Sequence, residues 1–247
     1  MGPGLSGLGI MHFLTRRGFA LAGVVVLALS AAACGDKEPE QRKAFITFLQ
    51  TRIVDKPGVH VPKLTDDETS AFGPYAAHFN VISGFANNPE LEGIGKQMQL
   101  ATQRVSISSI EELVANRATL RSVKQDLGKM TVAMNGALAN TLKERDALKQ
   151  PDDLKAVYDK AFDKDVLAPA RGFNETVPLV IDIAEAALKL ADYIDANRSK
   201  VTIQGRNVGG KDPKTAREID ILVKNLAGQA PKFQDAQRRL RIVLQGS

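Results

Sequence analysis

From Ile110 onward apolar side chains fall at Leu113, Leu120, Leu127 and Met134, one every seven residues, with Val123 and Met130 on the adjoining ridge. Seven residues make about two turns of an α-helix, so this spacing returns each of them to one face. Helix-forming residues continue to Lys149, and Ser109 stands where an N-cap belongs. The pattern therefore predicts one helix of about 40 residues. A helix of that length with a single apolar stripe has to be covered by other helices, which commits the chain to an all-α bundle around it. Asn116 and Arg117 interrupt the seam, favouring packing within one chain over a dimeric coiled coil.

The flanking segments supply the partners. Phe45, Phe48, Leu49 and Ile53 are helically spaced and end at Lys56-Pro57-Gly58. Thr65 with Glu68 reads as a capping box opening a short helix that Gly73-Pro74 interrupts, and Tyr75, Phe79, Ile82 and Phe85 carry the stripe on. Pro89 opens a helix expected to run to about Gln103. Pro151-Asp152-Asp153 starts another, with Leu154, Val157, Ala161, Phe162 and Val166 inward, and Pro169 is expected to divide it from its successor. That successor carries the broadest stripe, from Val177 through Val180, Ile181, Ala184, Leu188 and Ala191 to Ile194. Val201-Thr202-Ile203 followed by Gly205 to Gly210 suggests a small β-hairpin near 200–210. Asp212-Pro213 then caps a last helix with Ile219, Leu222, Val223, Leu226, Phe233, Leu240, Val243 and Leu244 on its stripe.

Ahead of this body lies a different kind of sequence. Arg16 and Arg17 precede an apolar run from Phe19 to Leu29, and Ala31-Ala32-Ala33 leads to Cys34, the one cysteine of the chain. A positive n-region, a short apolar stretch and small residues before the cleavage point make residues 1–33 a signal peptide. The run is shorter than the roughly 20 apolar residues a spanning helix needs. A cysteine directly after those alanines resembles the lipobox of bacterial lipoproteins, in which the thiol takes a diacylglyceryl group, although Ala31 stands where leucine is usual. Arg16-Arg17 also fits a twin-arginine export signal, an ordinary positive n-region being the other reading, and Met11 is an alternative start. Residues 34–39 would be the lipidated cysteine and a short tether, and 40–247 a single helical domain.

Without the leader, 31 basic residues face 28 acidic ones, since Arg16 and Arg17 are its only charges. So even a balance gives no reason to invoke nucleic acid or another polyanion as a partner. One cysteine excludes an internal disulfide.

The run Cys34-Gly35-Asp36-Lys37-Glu38 with Gln41-Arg42-Lys43-Ala44-Phe45-Ile46 and Phe48-Leu49-Gln50 resembles the opening of the YiaF-like (DUF3053-like) bacterial envelope lipoproteins. The likeness recurs at Leu64-Thr65, Phe72-Gly73-Pro74 and Asp152-Asp153-Leu154-Lys155 with Asp159, Ala161 and Phe162. It implies a lipid-anchored domain of unknown function and brings no catalytic residues with it. Among Gram-negative lipoproteins generally, aspartate directly after the lipidated cysteine favours inner-membrane retention. Gly35 holds that place here, so the analogy leans towards the outer membrane, facing the periplasm.

Groups suited to chemistry are sparse. After the leader His60 and His78 remain, neither with a second histidine or cysteine at ligand spacing, so no metal site is expected. Gly93-Ile94-Gly95-Lys96 lacks the first glycine and the hydroxyl residue of a phosphate loop, with Glu90 and Gln97 in those places. Asp66-Asp67-Glu68 is better explained by the positive end of a helix dipole than by a cation. Lys232, Arg238, Arg239 and Arg241 make the last helix basic, as a solvated face or one that meets anionic headgroups. Phe45, Phe48, Phe72, Tyr75, Phe79 and Phe85 belong to a core or line a groove for an apolar ligand. The expectation is a non-enzymatic, cofactor-free envelope protein held to the membrane by its lipid and acting on an envelope partner, the alternative being a binding module for a lipid or another apolar small molecule.

Overall fold

The computed structural model describes residues 37–104 and 108–246; the leader, with Arg16 and Arg17, and the lipobox cysteine Cys34 lie outside them. Among the described residues the chain is helical apart from one two-stranded antiparallel sheet, the all-α bundle that the apolar spacing predicts.

Helix α1 (Glu38–Leu49) has Pro39 and two acids in its first turn and passes into a π turn, Gln50–Val54. The carbonyls freed there are met by Lys164, whose Nζ donates to Ile53 O at 2.8 Å, to Val54 O at 3.0 Å and to Lys56 O. Before α2 (Asp66–Phe72) the capping box is present: Glu68 N–H donates to Thr65 Oγ1 at 3.1 Å and Thr65 N–H to the Glu68 carboxylate at 2.9 Å. Gly73-Pro74-Tyr75 tightens into a 3₁₀ turn leading to α3 (Ala76–Ala86).

Two expected helices are broken. The segment after Pro89 divides at Gly93 into α4 (Pro89–Glu92) and α5 (Ile94–Arg104). The long central helix divides at Asn116 into α6 (Ile110–Ala115), capped by Ser109, and α7 (Arg117–Asp146), which ends short of Lys149. The break falls where the apolar seam lapses, and Arg117 Nε–H turns back to donate to Val114 O at 3.0 Å, satisfying a carbonyl of the broken turn. α7 remains the longest helix described, about 45 Å at 1.5 Å per residue.

Pro169 does the opposite of what its chemistry suggests. α8 (Asp152–Phe162) continues through a π turn, Asp163–Leu167, directly into α9 (Ala168–Ala196). Proline cannot donate, and its ring crowds the carbonyl four residues earlier. Here Ala168 N–H reaches five residues back to Asp163 O, and the widened turn lets the helix run on through Pro169.

The α8–α9 rod lies antiparallel to α7 and is pinned along its whole length. Arg145 meets Asp159 at 2.8 Å, Asn174 Nδ2 donates to Asn135 Oδ1 at 2.8 Å, Lys124 meets Glu185 at 3.0 Å, and Arg121 meets Asp192 at 2.9 Å. Beyond α9 come β1 (Val201–Gln204) and β2 (Asn207–Gly210), in register Ile203 opposite Val208, with Gly205 at φ +60° in the turn.

Asp212 caps α10 (Pro213–Ala227), accepting from Lys214 and Thr215 N–H at 3.0 Å each. A break at Gly228-Gln229 separates α11 (Ala230–Gln245). The stripe on this pair is narrower than its sequence suggests. Ile219 and Ala236 are buried and Leu222, Leu226, Phe233, Leu240 and Val243 half-buried, whereas Val223 and Leu244 are exposed.

Apolar side chains form two clusters along the rod. The larger holds Phe45, Phe79, Leu127, Leu154, Phe162 and Val177, and the smaller holds Leu113, Leu120, Leu190, Ile194, Val201 and Ile219. Tyr158, absent from the predicted inward set, is fully buried in the larger one, its hydroxyl donating to His78 O at 3.0 Å.

Candidate functional site

The end of the bundle from which residues before Lys37 emerge is fixed by contacts of α1. Tyr75 OH donates to the Glu38 carboxylate, and Arg42 lies 3.5 Å from Asp153 at the start of α8. Burial, then the Glu38 bond, pushes the Tyr75 hydroxyl up to about 12. Arg145–Asp159 is nearby, whereas Arg121–Asp192 and the β-hairpin are at the far end of the rod. Cys34 is three residues from Lys37, a reach of about 11 Å.

At the far end lies a cleft of about 350 Å³ between α6, α7, α9 and α10. Its walls are apolar: Ile110, Leu113, Leu120, Ala184, Ala187 and Leu226. It opens where the two clusters fail to join, because α9 presents the alanines Ala184 and Ala187 towards Leu120 and too little side chain to close the gap. The hairpin turn is tied to the rim by two bonds: Ile110 N–H donates to Gly205 O at 2.9 Å and Arg206 Nε–H to Ser108 O at 3.1 Å. Arg206 is the charged residue of the lining and is itself exposed. Nothing local in the sequence marks this site, since its walls come from four helices and its cation from a β turn.

Residues singled out by sequence lie elsewhere. The six early aromatics are all buried in the larger cluster, and five of them pack ring on ring, Phe45 against Phe72 at 5.4 Å and Phe48 against Phe79 at 5.4 Å between ring centres; they are core, not a groove. His60 is exposed, and its backbone N–H donates to Asp165. His78 is half-buried, its Nδ1 3.1 Å from Gln150 Nε2, and burial holds its ring below the usual histidine range. Asp66, Asp67 and Glu68 occupy the first turn of α2, with Glu68 committed to its cap and to Arg52 at 3.4 Å. Gly93 ends α4 and Ile94 is buried, so Gly93-Ile94-Gly95-Lys96 spans a helix break. On α11, Arg238 and Arg239 pair with Asp235, and Arg239 also faces Glu175 at 3.5 Å; Arg241 and Lys232 are exposed. No described helix is long and apolar enough to cross a membrane.

One group escaped the sequence reading. Asp165, in the π turn, is 2% exposed; its Oδ1 accepts from His60 N–H at 3.1 Å and its Oδ2 has no partner among the described residues. Burial pushes its carboxyl up to about 6, against the opposing pull of the His60 N–H and the Lys164 charge. An acid after Lys164 in an amphipathic helix reads as a solvated face, and only the π turn rotates it inward.

Comparison with known proteins gives the same name for the relatives matched. The chain is 28% identical over 225 residues to "Uncharacterized protein YiaF" of Escherichia coli (strain K12), covering 89% of this chain and 93% of that protein. The protein of that name in Shigella flexneri matches to the same extent. No solved structure matches. The family model described as "Protein of unknown function (DUF3053)" matches residues 20–241, and the chain belongs to that family.

Proposed function

We propose that this is a bacterial cell-envelope lipoprotein, exported by its N-terminal leader, acylated at Cys34 and acting without catalysis by binding an envelope partner. The position of Lys37 carries the reading. A three-residue connection from Cys34 enters one end of the rod, so the body would stand against the bilayer and hold its hairpin and cleft away from it, about 40 Å further along α7. Two or three acyl chains on one residue suffice for durable anchoring, each buried methylene contributing about 0.8 kcal/mol. The membrane favoured by analogy is the outer one, with the body facing the periplasm.

Metabolic labelling with an alkyne-bearing palmitate, followed by membrane fractionation, tests the anchor. The wild-type chain should be labelled and sediment with membranes, and Cys34→Ser should do neither; unaltered labelling and sedimentation of that variant would refute it. Crosslinking in intact cells followed by mass spectrometry should recover an envelope protein, and repeated recovery of none counts against the interaction role.

A second reading, a binding module for an apolar small molecule, is favoured by the distal cleft. Its volume is at the lower end of the roughly 300–1,000 Å³ usual for ligand pockets.

A further inference from the structure

If the cleft is a binding site, as the second reading holds, its lining narrows the ligand. Leu113, Leu120, Ala184 and Ala187 give an interior with nothing to satisfy a buried polar group, so whatever enters it is apolar along that length. The rim differs in one respect. Arg206 has its Nε–H fixed on Ser108 O, which aims the guanidinium over the rim while leaving its terminal amino groups for another acceptor. Among the described residues no carboxylate pairs with it. Of the two acids that follow Ile110 at this rim, Glu111 is exposed, and Glu112 is turned onto Ser108, accepting from its N–H at 2.9 Å and from its hydroxyl. Ser109, the other polar lining residue, spends its hydroxyl capping α6.

The chain's own anchor is an obvious candidate for an apolar occupant, and geometry removes it. Leu120 lies 25 residues along α7 from Arg145, about 38 Å of helix, and α1 begins beyond the Arg145 end. The connection to Cys34 reaches about 11 Å and an acyl chain about half of a 30 Å hydrocarbon core. Together they fall short of the cleft.

We propose that the distal cleft binds a separate single-chain amphiphile, its tail between α7, α9 and α10 and its anionic head on Arg206. The ligand class is a fatty acid or an acyl compound with one negative group next to the chain. Carboxylate against a guanidinium without an acid partner among the described residues gives a charge-assisted contact at the hairpin rim of the cleft.

The test uses the full-length acylated protein in phosphatidylcholine nanodiscs, with a diazirine-bearing palmitic acid and the corresponding uncharged alcohol as photoprobes. Irradiation should place the acid on peptides carrying Leu113 to Leu120 and Ala184 to Ala187, in preference to the alcohol. Arg206→Gln, a change at an exposed turn, should lower labelling by the acid about tenfold at limiting probe and leave the alcohol unchanged. Ala187→Leu, which fills the cleft, should abolish labelling by both. Equal labelling by acid and alcohol, or an Arg206→Gln protein that labels like wild type, overturns the anionic head and leaves the cleft as an apolar site. Failure of both probes to label these peptides overturns the cleft as a binding site altogether.

Discussion

Gly58 and Gly246 pack backbone to backbone, each in the left-handed region at φ +62° and +79°. A Cβ on Gly58 would stand 2.5 Å from Leu244 O, and one on Gly246 2.5 Å from Gly58 N. The end of α11 is thereby locked onto the turn that follows α1, with Val59 N–H donating to Leu244 O at 3.1 Å. A side chain at Gly58 adds strain of about 1–3 kcal/mol to the loss of this contact. Gly58→Ala should lower the melting temperature by about 5–10 °C. Once it has separated the two segments, Gly246→Ala should cost less than it does alone, and thermal unfolding of both single variants and the double variant measures that shortfall.

Asp165 lies one residue beyond the lysine that caps the π turn of α1, and it predicts an unusual pH dependence. Its carboxyl is pushed up to about 6 in the fold from an unfolded value of 3.8, so between those values the folded protein binds more protons than the unfolded chain. This group's contribution to stability is therefore full below about pH 4 and is lost as the pH rises through 6. Two pH units correspond to about 3 kcal/mol at most. Asp165→Asn keeps an acceptor for His60 N–H and removes the charge. It should be more stable than wild type at pH 7.5 and lose that advantage by pH 4.5. Denaturant unfolding of both proteins across this range checks the sign, and taking their difference cancels the remaining carboxylates.

What could be read from sequence was local. Thr65 with Glu68, Asp212-Pro213 and the Gly205 turn each carry their own backbone chemistry within four residues, and each stands where the residues imply. The seven-residue repeat gave the buried face of α7, but the lapse at Asn116 and Arg117 spoke only against a dimeric coiled coil, and the division into α6 and α7 at that point was not legible. Pro169 misled because a proline reports only a missing donor and a crowded carbonyl; the π turn ahead of it, which cures both, has no residue signature of its own. The aromatics could not be assigned to core or groove by spacing, since both bury one helix face. The cleft was illegible for the converse reason: it depends on alanines opposite Leu120, a pairing set by how α7 and α9 register along their polar ladder.

That register gives two core leucines different values. Leu127 is fully buried inside the larger cluster, and Leu127→Ala should cost about 2–5 kcal/mol, the range for emptying a close-packed site. Leu120 is as fully buried but forms a wall of the cleft. Truncating it enlarges a space that already opens to solvent, so part of the cavity term is absent. Leu120→Ala should cost about half as much as Leu127→Ala in urea unfolding. Equal losses would mean that the cleft is closed by neighbouring side chains in solution.

Gly210 tests whether the two apolar clusters are separate units of stability. It ends β2 against the first turn of α10, where a Cβ would stand 2.2 Å from Ala216 N, a backbone atom with no rotamer to yield. Gly210→Ala must push the hairpin away from α10, parting Val201 on β1 from Ile219 on α10 in the smaller cluster. The larger cluster shares the α7 and α9 helices with this region but takes its side chains from α1, α3, α8 and the other end of the rod. Hydrogen exchange should therefore show protection falling at least tenfold in β1, β2, α6 and α10 while α1, α3 and α8 stay close to wild type. A uniform loss across all of these helices would instead show that the gap at Ala184 does not divide the fold and that the protein unfolds from end to end as one unit.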